Sequence, residues 1–535
     1  MQTYTGAATP RVSPTLPAVS PLLFVVLALL AALPATADDR SPFSPQLHDV
    51  DGRIHQVWVI DAARCTHAAR DLLVLHGVGG APDEEKRVTW MPCGSALVPG
   101  DPRIVERAVP DDVAVVDVAT LPGRTGPQLV MASVDGLRIE ALASGDPPQV
   151  IPVPGGIAVA PRPWELTRLP MVDDWHDLGP PSALVPALRG GWLVDLQTGA
   201  VRTIELPVTA IYQTWMPHLP QTEWKWLVQD VSWPSLDRAD DDGDGRLDVF
   251  ALGRFEILVY HAGPEGLPAE PSRRIPLVPF DAETEQEPRS TATDYFARDI
   301  DGDARADLLL GTISGGISEG SSTSRIHLNP GGGVDPSRPP DAERIVEGGF
   351  STFMFVDVDG DGLDEILETN LEFGVVQLVR FLLTRRAETT VRLLGLDPTV
   401  PGGLREIFED DFSFRIDFAE GAITGLLPSL GDWNGDGVLD FYLQDGDDAI
   451  AFRMGNRTPG EPLFGSTIET QPIPLSGGQS RIADLDGDGL DEIVAYSTRD
   501  VESPLVVLEN LGRLPGTRGE LAPTPWVEHR AQVGE

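Results

Sequence analysis

Residues 357–365 read DVDGDGLDE, and the chain repeats this nine-residue pattern four more times. The other copies are 240–248 (DDDGDGRLD), 299–307 (DIDGDARAD), 432–440 (DWNGDGVLD) and 484–492 (DLDGDGLDE). Acids, or Asn once, fall at positions 1, 3, 5 and 9, and Gly falls at 4 and mostly at 6. A hard cation such as Ca²⁺ takes six to eight oxygens at about 2.3–2.6 Å. Alternate residues of a tight loop can point three side chains at one ion, and glycine permits the positive φ that wraps the chain around it. The expected side-chain ligands are Asp240, Asp242 and Asp244; Asp299, Asp301 and Asp303; Asp357, Asp359 and Asp361; Asp432, Asn434 and Asp436; and Asp484, Asp486 and Asp488. Position 7 would add a backbone carbonyl, from Arg246, Arg305, Leu363, Val438 and Leu490. Position 9 would close the shell with Asp248, Asp307, Glu365, Asp440 and Glu492. The cofactor expected is thus Ca²⁺, up to five ions. One such loop is a commonplace acidic turn; five with one internal spacing point to metal.

What flanks the loops sets the fold class. After position 9 the chain reads VFALG, LLLGT, ILETN, FYLQD and IVAYS, short apolar, β-branched and aromatic runs that predict strands. An EF-hand would leave on a helix and carry Glu at position 12. That position holds Ala251, Leu310, Glu368, Leu443 and Ala495, so four of five fail the test. Apolar residues also precede the loops, as in FMFV before Asp357. The unit is strand, loop, strand, with further strands such as FEILVY (255–260), SRIHLN (324–329) and PLVVLEN (504–510) close behind.

The loops start at 240, 299, 357, 432 and 484, and such spacing with several strands per unit predicts a propeller or an array. YFARDIDGDARADLLLGT and GGQSRIADLDGDGLDEIVAYS resemble FG-GAP repeats, also called VCBS-type repeats, as in the propeller of integrin α subunits and in secreted bacterial proteins. The resemblance covers roughly residues 226–512. It implies four-stranded blades with Ca²⁺ in the turn between the first two strands. It does not imply one function, since such propellers serve adhesion, carbohydrate binding and, in a minority, catalysis.

Residues 54–225 keep the strand rhythm without the acids. VAVVDVATLPGRTGPQLVMAS (113–133) and MVDDWHDLGPPSALVPAL (171–188) read as degenerate units, and DLLVLHG (71–77) as the second strand of another. Three degenerate and five metal-type units predict an all-β propeller of eight blades, with seven plus a decorated edge as the alternative. Residues 54–535 are expected to form this one domain, after a polar lead-in at 38–53. The last blade is expected to find its fourth strand around TPWVEH (524–529), with 54–60 available to help closure.

Residues 1–37 read as a signal peptide, with an apolar run at 22–33 (LLFVVLALLAAL) and a small-residue site at 35–37. Twelve apolar residues fall short of the roughly 20 needed to span a bilayer. The expected location is secreted, extracellular or cell-surface, with the periplasm an option, and without membrane insertion. The net charge of −42 argues against nucleic acid as a partner, which needs a basic surface. The two cysteines, Cys65 and Cys93, are a disulfide in an exported protein or two separate thiols.

Two regions stand out from the repeat. Residues 381–396 and 405–418 alternate like strands and fill the longest interval; they read either as a partner-binding protrusion or as a long blade edge packed on its neighbour. Trp215, Trp224, Trp226 and Trp233 cluster, which suits either a sugar platform or wedge filling between blades. Gly316 to Gly320 match G-x-S-x-G, but strand sequence rather than helix follows, so a hydrolase elbow is not expected. The sequence therefore predicts a binding or structural surface module for an unknown protein or glycan. A lyase-like, polysaccharide-active enzyme with its site at the propeller mouth is the alternative.

Overall fold

In a computed structural model, the described residues lie between 41 and 517. Within that span residues 62–64, 66–68, 80–83, 159–165, 176–180, 188, 216–225, 265, 278–291, 315–319, 373–374, 385, 418–421, 425–427, 446–448, 459–461, 474–477, 500 and 502 are not described. Eight antiparallel sheets form eight blades in a ring, a β-propeller. Blade one runs Arg53–Ile60, Asp71–Val78, Glu85–Met91 and Val105–Ala108. Blade two runs Val113–Thr120, Pro127–Ser133, Gly136–Ala141 and Gln149–Pro152, and Thr167–Arg168 adds a short parallel strand to its first strand. Blade three runs Val172–Asp173, Ser182–Pro186, Gly191–Asp195 and Val201–Ile204. The three degenerate units of the sequence are these blades.

Blades four to eight carry the acidic loops, each between the first strand and the second. Their first strands are Ser235–Ala239, Ala292–Arg298, Gly349–Val356, Ser429–Gly431 and Gln479–Ala483. Their second strands begin at position 9 of the loop, with Asp248, Asp307, Glu365, Asp440 and Glu492. First strands of neighbouring blades touch, as Ser235–Ala239 does Ala292–Arg298, so they form the inner wall of the ring.

In blades one to four and eight the second strand is buried along nearly its whole length, not alternately, because both of its faces are covered. Val249, Ala251 and Leu258 pack toward blade three, whereas Phe250, Ile257 and Val259 on the same strands pack toward blade five. Each of the eight seams has its own apolar cluster. The last two join blade seven to blade eight around Trp433, Tyr442 and Phe452, and blade eight to blade one around Tyr496, Ile54 and Val74.

Closure differs from the expectation. The outermost strand of blade eight is Phe43–His48, which pairs antiparallel with Leu505–Asn510 in register Phe43↔Asn510 to His48↔Leu505. The stretch read as a polar lead-in thus supplies a strand, and residues 54–60 belong to the first strand of blade one. Residues 524–529 lie outside the described residues. Phe43 anchors the added strand; it is buried and stacks on Phe452 with ring centroids 5.0 Å apart.

The long interval in blade six holds an α-helix, Val375–Thr384, then the long strands Arg386–Leu396 and Leu404–Asp417. Residues 381–384, read as strand, are helical. The hairpin itself exists, and its base packs on blade seven: Phe408 sits 4.9 Å from Phe464 and 6.1 Å from Phe441, ring centroid to centroid. Thr209–Trp215 and Trp226–Ser232 form a separate two-stranded hairpin between blades three and four, with Trp215 opposite Trp226. Cys65 and Cys93 are joined by a disulfide.

Phe43→Ala should destabilise the protein by about 3–5 kcal/mol, measured by denaturant unfolding. Leu47→Ala, on the same strand but exposed, should fall within about 0.5 kcal/mol of wild type. Equal effects would show that the strand does not close the ring through its buried face.

Candidate functional site

The five acidic loops share one hydrogen-bonded frame. The position 1 carboxylate accepts backbone N–H bonds from positions 4, 5 and 6. In the 240 loop Gly243, Asp244 and Gly245 donate to Asp240 at 2.7, 3.2 and 2.7 Å. In the 299 loop Gly302, Asp303 and Ala304 donate to Asp299 at 2.8, 3.1 and 2.8 Å. Asp357 holds its loop the same way, and Gly437 and Gly489 donate to Asp432 and Asp484, both at 2.9 Å. At position 7 the N–H of Arg246, Arg305, Leu363, Val438 and Leu490 donates to the position 5 side chain at 2.8–2.9 Å. These bonds turn the chain so that the carboxylates converge.

Four loops bring three carboxylates to within 4.8 Å of one another: Asp240, Asp242 and Asp248; Asp299, Asp301 and Asp303; Asp357, Asp359 and Asp361; and Asp484, Asp486 and Asp488. In the 432 loop Asn434 takes one of these places and donates to Asp436 at 3.2 Å. The donor set is all oxygen and strongly anionic, which fits a hard divalent cation. The arginines at position 7 take part through their side chains too, since Arg305 pairs with Asp303 and Arg246 lies 3.9 Å from Asp244.

Position 9 has a second task that the sequence did not suggest. Its carboxylate accepts the N–H of position 2: Asp241 to Asp248, Ile300 to Asp307, Val358 to Glu365, Trp433 to Asp440 and Leu485 to Glu492, at 2.7–3.0 Å. In three blades its other oxygen accepts an N–H from beyond the third strand: Ala262 to Asp248, Asn329 to Asp307 and Gly455 to Asp440, all at 2.8 Å. The acid therefore latches the loop to its own blade. Burial raises its pKa, opposed by these bonds and reinforced by the loop acids: Asp307 to about 6, Glu365 to about 7, Asp440 to about 8, and Glu492 well above the ordinary value.

The loops also grip their neighbours, through residues that the sequence reading missed. Ala306 N–H donates to the Asp240 carbonyl at 2.7 Å, and Asp491 N–H to that of Asp432 at 3.0 Å. Asn329 and Asn510, where the third strands of their blades end, donate side-chain amides to the carbonyls of Asp241 and Trp433 in the preceding blade, at 2.9 and 3.0 Å. Asp241 occupies a position that is apolar in the other four loops. It is fully buried and compensated by Arg273 and by His261 at 3.0 Å. These signals were present as single Asn and Asp residues, but only the ring brings them to their partners.

No family model matches the sequence, and no curated protein does. Among solved structures, the chain is similar to the β-propeller domain of Nup133 from Vanderwaltozyma polyspora, at TM-score 0.36 and 8% identity, covering 88% of this chain and 99% of that one. It is also similar to a putative 6-phosphogluconolactonase from Bacteroides uniformis, at 0.24 and 12%, covering 74% and 94%. A third match is the TcdB2-TccC3 structure, at 0.20 and 11%, covering 83% and 24%. TM-scores of this size carry no argument, so the propeller assignment rests on the eight sheets.

A cavity of about 230 Å³ lies between blades two and three, where Arg124, Gln149 and Gln197 meet Leu121 and Leu196. Its lining includes no carboxylate or imidazole. Among the described residues, no helix is long and apolar enough to cross a membrane.

Two outcomes follow from this geometry. Ala304 holds φ 66°, where the other loops place Gly. A left-handed non-glycine residue is strained by about 1–2 kcal/mol, and glycine's freedom in the unfolded chain offsets part of the relief. Ala304→Gly should therefore stabilise by about 0.5–1 kcal/mol in denaturant unfolding; a loss of stability would contradict the strain. The second concerns pH. Asp307, Glu365 and Asp440 have folded pKa values above those of the unfolded chain, so their contribution is full below about pH 4 and is lost as pH rises through 6–8. In chelator, Tm should fall between pH 5 and 8. A Tm that rises over that range would show that other groups dominate.

Proposed function

We propose that the protein is a secreted, calcium-stabilised propeller of FG-GAP type that acts as a binding or structural module for a protein or a glycan. The observation that carries the metal reading is the convergence of three carboxylates in four loops built on one repeated frame. The ligands would be the side chains at positions 1, 3 and 5, with the position 7 carbonyl and the position 9 acid. Calcium there would neutralise mutually repelling carboxylates and cross-link each loop, so that metal affinity adds to folding stability.

Export is supported by the apolar run at 22–33, which lies outside the described residues, and by the Cys65–Cys93 disulfide, since such bonds persist in oxidising compartments. The binding role is supported by the fold. Both faces of each blade are buried, so the surface left for recognition consists of turns, loops and strand edges. The partner is identified only as far as charge allows: a net −42 favours neutral or basic surfaces over nucleic acid.

The test is calcium stoichiometry after gel filtration in millimolar Ca²⁺, with Tm measured before and after chelation. Several ions per chain and a lower Tm in chelator are expected. Fewer than about two ions at saturating millimolar Ca²⁺ would overturn the metal reading.

A further inference from the structure

Position 8 of the loops holds Leu247, Ala306, Asp364, Leu439 and Asp491. It is not a ligand position, and its side chains differ in what they touch. Asp364 faces Arg298 of blade five at 2.7 Å. Asp491 makes a reciprocal pair with another loop. Its N–H donates to the Asp432 carbonyl at 3.0 Å, and its carboxylate accepts the Asp432 N–H at 2.7 Å. Asn510 braces the same junction by donating to the carbonyls of Trp433 and Asp491, at 3.0 and 3.2 Å. At two other seams the position 8 residue makes one backbone bond, Ala306 N–H to the Asp240 carbonyl and Leu439 N–H to the Val358 carbonyl, and at the first of these Asn329 adds its bond to the Asp241 carbonyl.

We propose that Asp491 is a positioning residue that couples the metal sites of the 432 and 484 loops, so that Ca²⁺ in one raises the affinity of the other. This rests on the calcium reading above. Asp491 lies between Leu490 and Glu492, so an ion in the 484 loop fixes its backbone and side chain. Asp432, gripped at both its N–H and its carbonyl, is the first ligand of the neighbouring loop. Once one loop is ordered, the second ion meets a ligand already held in place, and less conformational freedom is lost on binding. Coupling of this kind is reciprocal: each ion strengthens the other by one factor. Repulsion between the two ions opposes it and is screened at physiological salt.

The experiment uses the full chain with Asp242→Ala, Asp301→Ala and Asp359→Ala, which leaves the 432 and 484 loops intact. Calorimetric titration with Ca²⁺ alone should show two ions binding with a Hill coefficient above 1. Asp491→Ala should bring the coefficient to 1 with two ions still bound. Asp491→Asn, which keeps an acceptor for the Asp432 N–H, should retain the cooperativity. Because Asp491→Ala alters a structural junction, a second measurement leaves Asp491 in place: Asn434→Ala should weaken calcium binding at the 484 loop by about fivefold or more. Two independent ions in the parent, or an unchanged 484 site in Asn434→Ala, would overturn the coupling and leave the calcium reading standing. No bound ion would overturn both.

Discussion

The ring exists because one strand from the start of the chain pairs with the last strands at its end. Every blade buries both faces against its neighbours, so a blade without a neighbour exposes an apolar sheet face. An open arrangement would leave two such faces. The pairing of Phe43–His48 with Leu505–Asn510 removes the break by making blade eight from both ends of the chain. Phe43 then enters the cluster shared with Trp433 and Phe452 of blade seven, so the strand is bound to the core and not merely to an edge. The loops, the inter-blade bonds and the inner wall all presuppose that closure, since each depends on the next blade standing at a fixed angle.

Blade one, which lacks an acidic loop, reaches the same local arrangement by other means. Asp71 begins its second strand, as the position 9 acids do in blades four to eight, and is fully buried. It accepts the N–H of Cys93, just after the third strand, at 2.9 Å, as Asp307 accepts that of Asn329. Arg70 N–H donates to the Asp484 carbonyl of blade eight at 3.2 Å, as Ala306 does to Asp240. The Cys65–Cys93 disulfide then ties the turn between the first two strands to the end of the third. A covalent bond thus stands where the later blades place converging carboxylates. Blade two relies on Asp117, which accepts N–H bonds from Met171 and Val172 at 2.9 Å and pairs with Arg168.

Local signals made the fold legible. Each loop and the apolar run after it is contained within a few dozen residues; the five loops located five blades, and three degenerate units favoured eight blades over seven. The closing strand was not legible, because FSPQLH offers little apolar periodicity and its partner lies at the far end of the chain. The helix Val375–Thr384 was hidden because VVQLVRFLLT is apolar enough to pass for strand sequence. The aromatic pattern at 408–418 was visible, but whether Phe408 would face solvent or blade seven depended on the seam it meets. The candidate ligands were readable from spacing. The inter-blade grips of Asn329, Asn510 and Asp491 were not, since a single polar residue at a strand end has no signature until the neighbouring blade is present.

The hydrogen-bond frame also limits what a metal can do here. In each loop, backbone N–H groups already bond the carboxylates at positions 1 and 9, so the turn is specified by the chain itself. A zinc finger differs, because there the ion supplies most of the reason to fold. What the chain cannot supply is compensation for charge. Three carboxylates within a few ångströms repel one another, and burying the position 9 acid adds a desolvation penalty that its N–H partners offset only in part. The topology is therefore set by strand pairing and seam packing, and the repulsion is confined to the loops. A cation bound there would act on stability, with the ring itself already determined by the sheets.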